Sequence, residues 1–252
     1  MDSPQAAVTH RIQPKPALYF CVLVSLLQPF QSGWSTSQLN LDQFNDTTEC
    51  NARPIAANAC LMFPGHSKLQ WTFAVNAWIF GAMTGSLFCG KFSDKWGRKK
   101  LLFVNCSFII VGAAVQMSVS SIWFFSVGRF VAGIASGVAT GTIGAYVSEL
   151  SPPHLRNVLG LGLQISVTFG IMMPAVALFF ANTSSGWRFL AGFPIVLAVL
   201  FLLLAPYCCE ESPVWLLMGN RQEEAERVIT RYYGSENVND VLEWFTSPKE
   251  EE

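Results

Sequence analysis

Six apolar segments constrain the fold of this chain more than any other feature of its sequence. Each is long enough to cross the hydrocarbon core of a bilayer, which takes about 20 predominantly apolar residues in a helix. A backbone inside lipid must satisfy its polar groups within the protein, and a helix does so with its own hydrogen bonds. The sequence therefore predicts an all-α membrane protein whose six transmembrane helices cover residues 17–33, 71–89, 101–117, 122–150, 158–180 and 187–207.

The composition agrees with this interpretation, because 51% of the residues are hydrophobic and 13% are charged. An ordinary soluble domain carries about 25% charged residues. The first segment has the basic start and apolar middle of a signal peptide, but Gln28-Pro29 interrupts it and five more segments follow. The predicted organisation is a cytoplasmic tail, a six-helix bundle with an extracellular loop at 34–70, and a cytoplasmic segment of short amphipathic helices, covering 1–16, 17–209 and 210–252.

Lysine and arginine predict which side of the membrane each loop occupies. With the N-terminus inside, 12 of the 16 basic residues fall on the inner side, and the others are Arg53, Lys68, Arg129 and Arg188. Cytoplasmic loops carry the excess of Lys and Arg. Both termini are therefore predicted to be cytoplasmic, in a multi-pass protein of the plasma membrane. The formal net charge of −1 gives no reason to expect a nucleic-acid partner.

The loop predicted between the first two helices contains two candidate modification sites. Asn45 begins an Asn-Asp-Thr glycosylation sequon. Cys50 and Cys60 lie in the same loop and either form a disulfide on the extracellular side or remain free thiols. The remaining cysteines and the three histidines have no metal-ligand spacing, so the sequence predicts neither a metal site nor a cofactor.

A short basic stretch after the second helix carries the most specific pattern, Gly-x-x-x-Asp-x-x-Gly-Arg-Lys-Lys over residues 90–100. By itself it could be an ordinary cytoplasmic loop. Further stretches follow it in order: Gly128-Arg129-Phe130, Glu149-Leu150-Ser151-Pro152, Leu155-Arg156-Asn157, Gly186-Trp187-Arg188 and Glu211-Ser212-Pro213. This ordered set resembles the N-terminal half of a sugar porter of the major facilitator superfamily, and in particular the facilitative glucose transporters.

The resemblance implies a cytoplasmic gate formed by Asp94, Gly97, Arg98, Glu149, Arg156 and Glu211. In the family such charges form a salt-bridge network that closes the cytoplasmic side and opens during transport. The alternative is that these charges only orient the chain in the membrane. Two residues depart from the family pattern, since Glu210 replaces a proline and Val214 replaces an arginine. One arm of the network is therefore expected to be missing.

The resemblance also implies a sugar-binding face on the fifth helix. Gln164, Thr168 and Ile171 share one side of that helix, because they are spaced at i, i+4 and i+7. The residues expected to line the cavity are Gln164, Val167, Thr168, Ile171 and, from the fourth helix, Thr140. An amide suits sugar hydroxyls because it both donates and accepts hydrogen bonds. Gln164 could instead form a structural hydrogen bond between helices.

No Asp or Glu lies in the apolar body of any predicted helix, and Ser35 occupies the position of the acid in proton-coupled sugar porters. The expected function is therefore facilitated diffusion of a hexose by alternating access, rather than symport or an enzymatic reaction. Its partners would be a monosaccharide, the lipid bilayer and a C-terminal half. The alternative is a half-length protein without transport of its own, which pairs with full-length relatives.

Overall fold

The structure is a computed structural model that describes residues 12–39, 62–63, 66–181 and 186–246, and all regular structure in these residues is helical. The predicted sites Asn45, Cys50 and Cys60 lie outside the described residues. A short 3₁₀ turn, Ser235–Asn237, precedes the last helix. The α-helices in chain order are α1 (Pro16–Ser25), α2 (Leu27–Ser37), α3 (Lys68–Trp96), α4 (Arg98–Ser118), α5 (Ile122–Leu150), α6 (Arg156–Ala181), α7 (Gly186–Cys208), α8 (Pro213–Met218), α9 (Gln222–Tyr233) and α10 (Val238–Thr246).

Five of these helices, α3 to α7, are long and apolar enough to cross a membrane. The remaining predicted span, residues 17–33, is divided into α1 and α2 at Leu26. The cause is Pro29, which has no N–H to donate to the carbonyl four residues earlier. Hydrogen bonds from Leu26 to Val22 (3.0 Å) and from Phe30 to Leu26 (3.1 Å) carry the helical path across the break. The prediction of an all-α membrane fold is confirmed.

The stretch predicted as a loop at 34–70 is helical at both ends. α2 continues to Ser37, and α3 begins at Lys68. The start of α3 is fixed by a capping box, in which the Ser67 hydroxyl accepts from the Gln70 N–H at 3.2 Å and the Gln70 amide accepts from the Ser67 N–H at 2.9 Å. These local signals extend the helices into the polar stretch.

α5 is the central helix of the bundle and packs against α2, α3, α4 and α6. Its contact with α3 is backbone to backbone, because a Cβ on Gly137 would lie 2.0 Å from the Ala82 carbonyl oxygen. The contact between α2 and α6 is equally close at Gly33, where a Cβ would lie 2.0 Å from the Val167 carbonyl oxygen. Glycine is required at these two positions for the helices to meet as they do.

The helices α8 to α10 cover one end of the bundle. α9 buries Ala225, Val228, Ile229 and Tyr232 on one face, as its amphipathic pattern predicts. Two tyrosines attach this face to the ends of the spanning helices: the Tyr233 hydroxyl donates to the Leu150 carbonyl at 2.6 Å and the Tyr232 hydroxyl to the Cys208 carbonyl at 3.2 Å. The basic 90–100 stretch lies at this same end, since the Trp215 indole N–H donates to the Asp94 carbonyl at 2.8 Å.

Candidate functional site

The basic stretch forms a sharp turn at Gly97 between α3 and α4. Gly97 has a φ of 91°, a conformation that residues with a side chain rarely adopt. A Cβ at this position would also lie 2.4 Å from Oε2 of Glu211. Glycine therefore permits both the turn and the close approach of a carboxylate.

Arg98 follows the turn and binds two carboxylates. Its Nε and Nη2 donate to the two oxygens of Glu149 at 3.0 and 2.9 Å, and its Nη1 donates to Asp94 at 3.2 Å. The Asp94 side chain is 68% exposed, whereas those of Arg98 and Glu149 are 9% and 16% exposed. The bidentate pair with Glu149 is therefore the stronger of the two contacts.

Glu211 binds the start of α4 through the backbone. Its Oε1 accepts the N–H groups of Arg98 at 2.7 Å and Lys99 at 3.0 Å. The first N–H groups of a helix have no partner within the helix, and the helix dipole favours a negative charge there. Glu211 thus connects the segment after α7 to α4 by capping the helix.

Arg156 is separate from these carboxylates, which corrects its implied membership of the network. Its side chain is exposed, and its Nε donates to the Ser148 carbonyl at 3.1 Å. Ser148 lies in the last turn of α5, whose carbonyls lack partners within the helix. The guanidinium therefore binds the end of a helix, and in the described part of the chain it forms no ion pair.

Glu210 adds contacts that the sequence did not predict. It pairs with Lys99 at 3.6 Å and with Arg231 of α9, although its departure from the family pattern had suggested a weaker network. The only signal in the sequence was the two adjacent acids, Glu210 and Glu211, directly after the last apolar segment.

A cluster of thiols and phenols lies behind the ion pairs. The Cys21 thiol lies 3.3 Å from the Tyr146 hydroxyl, which donates to the Glu210 carbonyl, while the Glu210 N–H donates to the Tyr232 hydroxyl at 2.9 Å. Burial raises the pKa of the Tyr232 phenol well above its usual value, so this group stays neutral. The cluster holds α1, α5 and α9 together around the residue that pairs with Lys99 and Arg231.

The charge count placed Arg129 on the outer side, near the start of the predicted fourth helix, but it is buried in the bundle and is 1% exposed. Its Nη1 donates to the Ser35 carbonyl at 2.6 Å, and its guanidinium lies 5.7 Å from the ring centre of Trp78. Arg129 is therefore a structural cation inside the helix bundle, and its charge does not indicate which side of the membrane a loop occupies. Ser35 binds Arg129 through its carbonyl, and its hydroxyl accepts a hydrogen bond from the Gln31 amide at 2.9 Å.

The predicted sugar-binding residues lie on or beside one exposed face. Gln164, Thr168 and Ile171 of α6 are exposed, Val167 is half-buried, and Thr140 of α5 is exposed. Gly144 of α5 approaches Leu163 of α6, with 3.9 Å between a Cβ on the glycine and the leucine Cδ1. Since α5 and α6 are antiparallel, Thr140 is level with residues 167–168 of α6.

The hydrogen bonds of this face are local. The hydroxyls of Thr140 and Thr168 donate to the carbonyls four residues earlier, Ser136 and Gln164, both at 2.9 Å. The Gln164 side-chain amide has no hydrogen-bond partner within the described residues. Within this part of the chain the amide therefore makes no hydrogen bond to another helix, and its donors and acceptor are open to an external group.

The fold of the described residues, with five helices long and apolar enough to cross a membrane, defines a class of protein, the multi-pass helical membrane proteins. The family model of sugar (and other) transporters matches residues 19–252, and the chain belongs to that family. Members of this family are carriers rather than enzymes. The chain is thus a multi-pass membrane protein of the sugar transporter family.

Its relatives include two human facilitated glucose transporters of solute carrier family 2. Member 14 is 28% identical over 245 residues, covering 93% of this chain and 46% of the relative, and member 3 is 28% identical over 239 residues, covering 90% and 47%. The glucose transporter GlcP of Staphylococcus epidermidis is 30% identical over 168 residues, covering 67% of this chain and 37% of the relative. The chain spans about half the length of the two human relatives.

Solved structures of the xylose transporter XylE from E. coli share this fold. A partially occluded inward-open form has a TM-score of 0.76 and 21% identity, covering 90% of this chain and 58% of that one. The proton:xylose symporter XylE bound to 6-bromo-6-deoxy-D-glucose has a TM-score of 0.75 and 23% identity, covering 90% and 52%. At this identity the likeness establishes the fold alone.

Proposed function

We propose that this chain provides the N-terminal half of a facilitative hexose transporter in the plasma membrane, with both termini cytoplasmic. The observation that carries the proposal is the open amide of Gln164 on the exposed face of α6. Membership of the sugar transporter family supports a monosaccharide as the ligand. The names of the relatives, which are facilitated glucose transporters, support a hexose.

In this proposal the cytoplasmic gate consists of Asp94, Gly97, Arg98, Glu149 and Glu211. The turn at Gly97 joins α3 and α4, and Glu211 ties the start of α4 to the segment that follows α7. The exposed pair with Asp94 contributes about 0–1 kcal/mol, whereas the pair with Glu149 is nearly buried and costs more to break, and together they bias an equilibrium between two states. The 17–209 bundle would carry the sugar, and the 210–252 segment would support the gate from the cytoplasm.

The proposed transport mode rests on the sequence of this chain, in which no Asp or Glu lies in the apolar body of a predicted helix. Coupling to protons needs an acid whose charge changes inside the membrane. Ser35 carries no such group, and its carbonyl and hydroxyl are occupied by Arg129 and Gln31. The transporter would therefore equilibrate its sugar across the membrane without accumulating it.

A second candidate function is pairing with a full-length relative without transport by this chain alone. It is favoured by the exposure of α6. Of the 18 consecutive residues that form its apolar part, only 11% are buried inside the described bundle. Such a face could contact another six-helix half.

The test reconstitutes the chain together with a C-terminal half in liposomes and measures entry of radiolabelled D-glucose, with L-glucose as the stereochemical control and the chain alone as the reference. We expect selective equilibration of D-glucose and no accumulation when the outside is acidified. Accumulation driven by protons would overturn the facilitator proposal. D-glucose binding without any entry would favour the pairing function instead.

Orientation has its own test, which uses a membrane-impermeant thiol reagent on intact cells. Asp46→Cys should become labelled relative to the parent chain, and Lys95→Cys should not. The reverse pattern would place the termini outside and overturn the assignment of the gate to the cytoplasmic side.

A further inference from the structure

A cleft of about 550 Å³ opens where the first turns of α4 meet α8 and α9. Its wall contains four basic residues, Lys99 and Lys100 from α4 together with Arg221 and Arg227 from the C-terminal segment. None of the predicted sugar-binding residues contributes to it. The cleft lies at the membrane boundary, because the apolar part of α4 starts at Leu101, directly after Lys100.

The three carboxylates that line the cleft already have partners. Glu224 accepts two hydrogen bonds of 2.6 Å from Arg221, and Glu210 pairs with Lys99 and Arg231. Glu211 accepts the N–H groups at the start of α4. The acids therefore bind Lys99 and Arg221 but leave the other two cations of the cleft unmatched.

These two cations are Lys100 and Arg227. Both are exposed, and within the described residues neither forms an ion pair or a side-chain hydrogen bond. They come from different helices but line the same cleft. The pKa of the Glu224 carboxyl is lowered by its hydrogen bond with Arg221 and also by the charges of Arg221, Arg227 and Lys100, which agrees with a concentration of positive charge there.

An exposed apolar stripe leads away from the cleft along α4. Val104 lines the cleft, and Val104, Phe108 and Val111 are 41%, 40% and 53% exposed. Together with Lys100 they are spaced at i, i+4, i+8 and i+11, which places them on one side of the helix. A positively charged cleft thus continues into an apolar surface that points along the membrane-spanning helix.

We propose that this cleft binds the phosphate-bearing headgroup of an anionic phospholipid, with Lys100 and Arg227 contacting the phosphate. Basic pockets at the cytoplasmic ends of spanning helices suit such headgroups, and an arginine binds phosphate oxygens in a planar, bidentate manner. The acyl chains would lie along Val104, Phe108 and Val111. A soluble phosphate compound carries the same negative charge as the headgroup but has no acyl chains to contact Val104, Phe108 and Val111.

The test uses the full chain, purified in a neutral detergent, and measures binding of a fluorescent short-chain phosphatidylinositol phosphate. Phosphatidylcholine of the same chain length, the water-soluble glycerophosphoinositol phosphate and inorganic phosphate serve as competitors. We expect the anionic lipid to compete best and phosphatidylcholine not to compete. Equal competition by the soluble headgroup would overturn the lipid assignment and leave a site for soluble phosphate compounds.

The decisive variant is the double substitution Lys100→Gln and Arg227→Gln. Each basic residue near a membrane surface adds about fivefold to the binding of an anionic lipid, so we expect affinity to fall about 25-fold. The matched control is Lys91→Gln with Lys95→Gln, two exposed residues near the end of α3 that remove the same charge outside the cleft. Equal losses in the two double variants would mean general electrostatic attraction and would overturn the site.

A charge-preserving substitution separates binding from folding. Arg227→Lys keeps the charge but not the bidentate geometry, so it should lose clearly less affinity than the double variant. The melting temperature of every ligand-free variant should match that of the parent, because both residues are exposed. If Arg227→Lys loses as much affinity as the double variant while remaining folded, charge is not the basis of binding and the proposal fails. Lipid binding is measured without transport, so this result is independent of the proposed sugar transport.

Discussion

The proposed cytoplasmic gate and the proposed sugar-binding face differ in how many of their contacts form within this chain. At the gate, the Arg98 side chain is 9% exposed and contacts two carboxylates, and a third carboxylate caps the start of α4. At the sugar-binding face, Gln164 is exposed and its side chain has no hydrogen-bond partner in the described residues. The gate contacts can thus form within one half of a transporter, whereas the sugar-binding face presents groups that await a ligand or another half.

The helices α5, which carries Glu149 of the gate, and α6, which carries Gln164, differ in burial in the same way. Of the 18 consecutive residues that form the apolar part of each helix, 67% are buried in α5 but only 11% in α6. Substitutions in the gate should therefore change the stability of this chain, and substitutions on the exposed α6 face should leave stability unchanged while altering binding. Four substitutions test this distinction.

Arg98→Gln should have the largest effect. It leaves the Glu149 carboxylate, whose side chain is 16% exposed, without its cation. Breaking a buried pair by removing one partner costs about 3 kcal/mol or more, so the melting temperature should fall strongly. Lys95→Gln is the control, since Lys95 is exposed and unpaired in the described residues. Adding Glu149→Gln to Arg98→Gln should recover part of the loss, and no recovery would refute the pairing as its cause.

Gly97→Ala should come next, with a loss of about 1–3 kcal/mol from the strained backbone. The new Cβ would also displace the Glu211 carboxylate that caps α4. Gly90→Ala is the matched control, because Gly90 lies in the interior of α3 and a Cβ there meets no atom within 4 Å. That control should be neutral or stabilising by up to about 1 kcal/mol. Similar melting temperatures for the two variants would contradict the role of the turn.

Gln164→Leu should reduce D-glucose affinity and leave stability unchanged. Losing a hydrogen bond costs about 0.5–1.5 kcal/mol, which is tenfold or less in affinity. Gln116→Leu is the opposite case, because that buried amide binds Gln38 at 2.8 Å and the Gly128 carbonyl at 3.3 Å. It should lower the melting temperature and spare affinity. A lower melting temperature for Gln164→Leu with unchanged affinity would assign Gln164 to structure.

Arg231→Gln should have the smallest effect, although it removes a pair with Glu210. The two side chains are 42% and 28% exposed, and such pairs contribute about 0–1 kcal/mol. The loss of melting temperature should shrink at high salt, since salt screens exposed charges. A large loss that persists at high salt would mean that α9 depends on this ion pair more than on its buried face.

Much of the fold and part of the gate could be predicted because their signals are local. Length and hydropathy defined the spanning helices, and the motif over residues 90–100 identified the polar connection between the second and third of them. The break between α1 and α2 was not predicted, although its signal is also local, since the N–H that Pro29 lacks belongs to its own helix.

What only the tertiary structure decided concerns residues that meet across distant parts of the chain. Glu211 binds backbone N–H groups at the start of α4, Glu210 pairs with Lys99 and Arg231, and Arg156 turns away from the carboxylates to a helix end. Arg129 was counted as a charge on the outer side but is buried against Ser35. Residue type and spacing cannot specify such partners, because a charged group takes the nearest unsatisfied partner that packing brings within hydrogen-bond distance.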